Sequence, residues 1–319
     1  MLKILKNTCS RLALIPVCFC ALSVVPATAA SVNPGVVEID YPGEYVRIIA
    51  VSDIHGMYAS LQVMLRSARL IDTANNWTAG KTLLIVVGDS IDKGPDSLDT
   101  IDLWMRLQQQ APLYGGRLIH SLGNHEAEFL SDPKRSNKTA DFREELKAKG
   151  VRLKELTVHG YPRADFLFSM PVAVRVGKWL FCHSGLLPDK SWRHFTAKAA
   201  EVVQSGNYGA KFLSGADSIL ENGNWWMDST GRGILESRLS DNDLFGVVFG
   251  HRSKALNAEG RNAISQDRRL IKIDNGMAPE AGAHPGSLLV FPHPVDLSSA
   301  APASVQTILS GGLPKPLRP

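Results

Sequence analysis

Thr82-Leu83-Leu84-Ile85-Val86-Val87 runs without a charge and stops at Gly88-Asp89. A strand written this way offers no face to water, so it needs cover on both sides, as strands of α/β proteins have. Tyr45 to Val51 is a second strand, with the β-formers Val46, Ile48, Ile49 and Val51, and it ends in Ser52-Asp53-Ile54-His55-Gly56. Leu118 to Leu122 reads as a third, ending in Gly123-Asn124-His125-Glu126. Helical spacing follows each: Leu61 to Leu70, Leu98 to Leu107, and a helix opening at Ala127. Strand–loop–helix three times over predicts a largely parallel sheet.

Further along, Val172 to Val176 and Lys178 to Cys182 read as paired strands around Gly177, delivering His183. Gly246 to Gly250 is another buried strand and delivers His251; Leu270 to Asp274 and Ser287 to Phe291 are strands as well. Between them, Glu126 to Lys149 is helical with a solvated charged face, Val151 to Phe168 is irregular, and Pro188 to Gly223 is a helical insertion with polar loops. Trp225-Trp226 serves as pocket wall or core. Arg232, between Gly231 and Gly233, could be approached closely by an anion.

The ends differ from the middle. Lys3, Lys6 and Arg11 precede an apolar stretch, Leu12 to Val25, and the small-residue run Pro26-Ala27-Thr28-Ala29-Ala30. That is the layout of a secretory signal peptide over residues 1–30, and the stretch is too short to span a bilayer comfortably. Its removal takes three of the four cysteines and leaves Cys182, so no disulfide can form within the mature chain. An exported, disulfide-free protein fits the bacterial periplasm, with no stable membrane anchor after cleavage. The net charge of +4 over 319 residues, without basic clusters, argues against a nucleic-acid partner. One domain is expected over 31–294, after a polar lead from Ser31 to Glu44. The Ala-, Ser- and Pro-rich stretch 295–319 reads as a loosely ordered tail.

Asp53, His55, Asp89, Asn124, His183 and His251 all fall at strand ends, where open α/β sheets gather their chemistry. Carboxylates at the ends of two buried strands repel unless a cation lies between them. The mixed oxygen and nitrogen donors suit two divalent ions such as Mn, Fe or Zn, with one carboxylate bridging, and lack the thiolates of a structural zinc site. Bland readings exist for each alone: a turn-forming Asp, a capping Asn, a core His bonded to backbone.

Together, the ordered blocks SDIHG, GDSIDKG, GNHE, CHSG and FGH resemble the calcineurin-like metallophosphoesterase signature. The GNHE form is most similar to the phosphoprotein phosphatase branch, and within it to bacterial Shewanella-like protein phosphatases. The resemblance covers Val51 to His251 and implies a four-layer αββα sandwich, a central β-sandwich flanked by helices, with a helical insertion. It implies a first metal on Asp53 and His55, a bridging Asp89, and a second metal completed by Asn124, His183 and His251. It implies that His125 is the general acid, oriented by Asp92, and that a metal-bridging water or hydroxide attacks phosphorus in line. Glu126 then supports the site without reacting. That family usually has Arg where Lys93 and Leu122 stand, so the phosphate must be held differently; Lys93, Arg232 and Arg252 are the candidates. The implied substrate is a phosphorylated protein (Ser/Thr or Tyr) or a small phosphoester. A nucleotide or diadenosine-polyphosphate hydrolase or phosphodiesterase of the same superfamily is the alternative, and a binding module without catalysis a weaker one.

Overall fold

Alternation along the strands sorts the apolar side chains into two cores. The computed structural model describes residues 32–187, 191–226, 229–292, 297, 305–309 and 312–319. The stretch read as a signal peptide lies outside them. The strands are β1 (Val36–Ile39), β2 (Arg47–Val51), β3 (Thr82–Val87), β4 (Arg117–Ser121), β5 (Ala173–Val176), β6 (Trp179–Cys182), β7 (Gly246–Phe249), β8 (Ala263–Ile264), β9 (Leu270–Lys272), β10 (Ser287–Pro292), β11 (Gln306–Leu309) and β12 (Lys315–Pro316). The helices are α1 (Tyr58–Ser67), α2 (Ser97–Gln110), α3 (Asn124–Ser131), α4 (Ala140–Ala148), α5 (Lys154–Thr157), α6 (Pro162–Phe168), α7 (Trp192–Ser205) and α8 (Ser229–Asp241).

Among the described residues the strands form two six-stranded sheets, ordered β1-β5-β6-β7-β9-β8 and β12-β11-β10-β2-β3-β4. Along β3, Leu83, Ile85 and Val87 share a core with Val174, Phe181, Val248 and Ile271 of the other sheet, while Leu84 and Val86 pack with Leu61, Leu65, Leu98 and Ile101 of α1 and α2. On the second sheet, Leu180, Cys182, Val247 and Phe249 face the cluster that holds Phe195 and Val202 of α7 and Leu235 and Leu239 of α8. This is the expected αββα sandwich. Each of these aliphatic side chains gains about 1.5–3 kcal/mol by leaving water, which explains why a run such as β3 tolerates no charge.

The sheets are mixed. β2, β3 and β4 run parallel, but β10 joins β2 antiparallel, Val290 opposite Ile49. Three stretches depart from the sequence reading. The polar lead contains β1, four residues paired parallel to β5. Val151 to Phe168, expected to be irregular, holds α5 and α6. Within the stretch expected to be a loose tail, β11 pairs antiparallel with β10 and β12 with β11, and Val305, Ile308 and Leu317 are buried. Composition misled there because four or five residues suffice to extend a sheet edge that is already built.

Candidate metal centre

β2, β3, β4, β6 and β7 all end at one edge of the sandwich; the loops leaving β2, β3, β6 and β7 carry Asp53 and His55, Asp89, His183, and His251, and Asn124 and His125 open α3 just after β4. The backbone there is unusual. Asp53, His55, Asp89, Asp92, Lys93 and His251 have φ between 48° and 69°. This left-handed region costs a non-glycine residue on the order of 1 kcal/mol or more, so the surrounding packing must impose it. Gly88 and Gly123 let the β3 and β4 loops touch: a Cβ on Gly123 would sit 2.1 Å from Asp89 Oδ1, and one on Gly88 would sit 2.5 Å from Gly123 Cα.

The side chains converge. Asp89 Oδ2 lies 3.2 Å from His183 Nε2 and 3.6 Å from His55 Nε2, whose own distance to Asp53 Oδ1 is 3.9 Å. Asn124 Oδ1 is 3.0 Å from both His183 Nε2 and His251 Nδ1. The His251 backbone N–H donates to both carboxylate oxygens of Asp53 at 3.1 Å. Burial is nearly complete for all but His251, which is half-buried: Asp53 and Asp89 are 2 % exposed and His183 0 %. Burial, reinforced by Asp274 and Asp89, pushes Asp53 well above the usual carboxylate range. It would raise Asp89 too, but His183, His125 and His55 hold that group well below its ordinary value. Against its burial, His183 is pushed up to about 10 by Asp89, while burial pulls His251 down to about 3. So many buried carboxylates call for positive charge between them.

The outer ring nitrogens sort the histidines. His55 Nδ1 faces the Ile91 carbonyl at 3.2 Å, His183 Nδ1 the Val87 carbonyl at 2.9 Å, and His251 Nε2 the Glu221 carbonyl at 3.1 Å. A carbonyl can only accept, so each ring keeps a proton outward and leaves its inner nitrogen for the site, where an ion would take the place of the inward proton that Asp89 favours on His183, the usual support for a metal ligand. His125 differs. Its Nδ1 lies 3.2 Å from Asp92 Oδ2, an ion-pair distance, though too poorly aligned for a hydrogen bond. Burial opposes its protonation, but Asp89 and Asp92 together raise its pKa. By distance alone His125 groups with His55 and Asp89, as Asp89 does with His183 and His251. Its carboxylate partner sets it apart as the ring suited to carry a proton. Asp92 is itself held by the Phe142 N–H at 2.9 Å.

Glu126 is fully buried and accepts from the backbone N–H groups of Asp89, Ser90, Ile91 and Gly123, at 2.9, 2.8, 3.3 and 2.9 Å. It shapes the turn that presents Asp89 and reaches back to the amide preceding its own helix.

Above these residues opens a cleft of about 1260 Å³ that includes Lys93, Arg232 and Arg252 in its lining, together with Trp226 and Asp274. The three candidate cations stand differently. Lys93 Nζ is 3.0 Å from Glu280 Oε1. Arg232 belongs to α8 rather than to an open glycine turn, and its Nη2 is 2.5 Å from Asp267 Oδ2. Leu122, where the resembled family has Arg, is fully buried in the apolar core and faces no ligand. Trp225 is buried with its Nε1–H on the Ser184 carbonyl at 2.8 Å, leaving Trp226 as the pocket wall. The sequence reading missed Asp274, just beyond β9, which is buried at the cleft with its carboxyl raised, chiefly by burial. Its position after a strand, like that of Asp53 and Asp89, was the available signal.

The family profile of the calcineurin-like phosphoesterases matches residues 46–264. The chain belongs to that family, whose members use a dinuclear metal site. Among relatives, it is 26% identical over 229 residues to Shewanella-like protein phosphatase 1 of Plasmodium berghei, covering 66% of this chain and 59% of that one. It is 34% identical over 80 residues to Shewanella-like protein phosphatase 2 of Arabidopsis thaliana, covering 25% and 20%. The chain thus matches less than two thirds of the length of either relative. Among solved structures, the cold-active protein-tyrosine phosphatase of a psychrophilic Shewanella species shares its fold, with a TM-score of 0.71 over 91% of this chain and 84% of that one at 18% identity.

Proposed function

We propose that the protein is a dinuclear metal-dependent phosphomonoesterase acting on phosphoproteins, at Ser/Thr, Tyr or both. The observation that carries this reading is the division among four histidines: three turn bare nitrogens inward because backbone carbonyls hold their protons outward, and the fourth faces a carboxylate. Asp53 and His55 would hold one divalent ion and Asn124, His183 and His251 the other, with Asp89 available to both; Mn, Fe or Zn would suit this donor set. Two such ions supply a nucleophile from water at neutral pH and neutralise phosphoryl charge.

The chain's own residues do the rest. His125, protonated with help from Asp89 and Asp92, gives its proton to the leaving alkoxide or phenolate. Asp92 keeps that ring turned toward the cleft. Glu126 fixes the Asp89 turn so that the bridging carboxylate need not reorganise. No nucleophilic side chain is required, so no phosphoenzyme forms. The similarity to Shewanella-like protein phosphatases supports the choice of phosphoprotein over nucleotide. We further propose that the chain works after export to the periplasm, on the strength of its basic and apolar first thirty residues.

The test is hydrolysis after chelation and Mn add-back, with p-nitrophenyl phosphate, bis-p-nitrophenyl phosphate, diadenosine tetraphosphate, a phosphotyrosine peptide and a phosphoserine peptide in parallel. Peptide turnover restored by Mn, with the diester untouched, is the expected result. Activity confined to the diester or the dinucleotide would overturn the phosphoprotein reading.

A further inference from the structure

The cleft must grip a phosphate without an arginine at position 122, and its three cations do not stand equal. Lys93 already pairs with Glu280, and Arg232 with Asp267. A phosphate taking either must first break an ion pair, which leaves a carboxylate beside the incoming anion. Arg252 is free of that conflict. Among the described residues no carboxylate lies within ion-pair distance of it, and it lines the cleft.

Its guanidinium also has a built seat. Its Nε/Nη2 edge is turned to Gly223: a Cβ there would lie in the plane of the guanidinium, 2.2 Å from Arg252 Nε, 2.3 Å from Nη2 and 2.6 Å from Cζ. The segment carrying Gly223 is pinned at both ends. Glu221 bonds Lys138 at 2.8 Å, and Lys138 also bonds Glu128 of α3 at 2.7 Å. Trp225 bonds the Ser184 carbonyl at 2.8 Å. The same segment places the Glu221 carbonyl on His251 Nε2. One short loop thus seats two consecutive side chains, the His251 ring and the Arg252 fork.

Resting on the phosphomonoesterase reading, we propose that Arg252 is the phosphate clamp of this enzyme and that Gly223 is its positioning residue. With the Nε/Nη2 edge seated, the Nη1/Nη2 end meets the non-bridging oxygens of the phosphoryl group, a bidentate match that Lys93 cannot make. Gly223 is required because any larger residue would push the fork off its seat.

The experiment is a double-mutant cycle on the full metal-loaded chain, with binding of inorganic phosphate measured by calorimetry, p-nitrophenyl phosphate kinetics, and metal content as control. Arg252→Ala should weaken phosphate binding about 10- to 100-fold, about the strength of a charge-assisted pair, and Arg252→Lys should recover only part of it. Gly223→Ala should weaken it several-fold with two metals retained, raising KM more than it lowers kcat. Added to Arg252→Ala, it should cost nothing further. Equal losses from Gly223→Ala in both backgrounds would show a general structural effect and overturn its positioning role. Should Gly223→Ala fail to fold, the Arg252 variants, at an exposed position, still decide the clamp. Unchanged phosphate affinity in Arg252→Ala, with monoesters still hydrolysed, would sink the clamp and leave the functional reading standing. Phosphate binding that depends on Arg252, without hydrolysis of any monoester, would do the reverse.

Discussion

His125 and the residues that converge on it divide the labour so finely that single atoms test it. His125→Asn removes the proton donor and leaves Asp89, Asn124 and the three carbonyl-held histidines in place. Turnover of alkyl phosphates should fall about 10²- to 10⁴-fold, the usual worth of a general acid, with metal content by elemental analysis unchanged. Full activity in that variant would refute the acid assignment. Gly123→Ala is a steric test of the opposite kind. Its new methyl would fall 2.1 Å from Asp89 Oδ1 and 2.3 Å from the Asp89 nitrogen, so the Asp89 carboxylate must move. Both ions should be bound more weakly, read as metal lost on dialysis, although no ligand has been replaced.

At the scale of elements, the turn after β3 depends on one carboxylate. Glu126→Gln keeps the shape but sets an NH₂ group against amides that can only donate. With buried donors left unmet at about 1–3 kcal/mol each, the urea midpoint should drop by the equivalent of roughly 2–4 kcal/mol. Behind the same turn runs a buried chain: Trp104 Nε1–H donates to Ser90 Oγ at 3.0 Å, Ser90 Oγ meets His120 Nε2 at 2.7 Å, and His120 Nδ1 meets the Ser121 carbonyl at 2.9 Å. A neutral His120 that accepts from the Ser90 hydroxyl suits this chain, and burial pulls its pKa down to about 4. In the unfolded chain the ring takes up a proton near pH 6.5, so stability should be full above that value. It should fall, by up to about 3 kcal/mol, as pH drops from about 6.5 toward 4. His120→Gln should flatten this dependence of the urea midpoint. Sequence shows such elements unevenly. β3 and β7 were legible because burial on both faces writes itself as unbroken apolar runs, and the polar residue ending each run marked a side chain that converges on the cleft. β1 and β11 were not, since an edge strand of four residues needs little apolar sequence of its own. Asp274 escaped because its strand was read as reaching it, and a carboxylate inside a strand does not stand out.

For the whole molecule, the centre joins loops from two sheets: Asp53, Asp89 and Asn124 from one, His183 and His251 from the other. Chelation should therefore do more than stop catalysis. It leaves buried carboxylates facing one another where the sheets meet, and the melting temperature should fall by several degrees, recovered on Mn add-back, since an ion that binds only the folded state stabilises it by mass action. An unshifted melting curve after complete metal removal would show that the sheets hold together without the ions. The topology also gives an order of events. The converging side chains extend from Asp53 to His251, and β2, which presents the first of them, is completed on its outer side by β10, whose residues come later still. A chain half made, or half threaded through a pore, holds no more than fragments of the site. Loading therefore waits for the finished fold, and the ions this protein carries are those of the compartment in which folding ends.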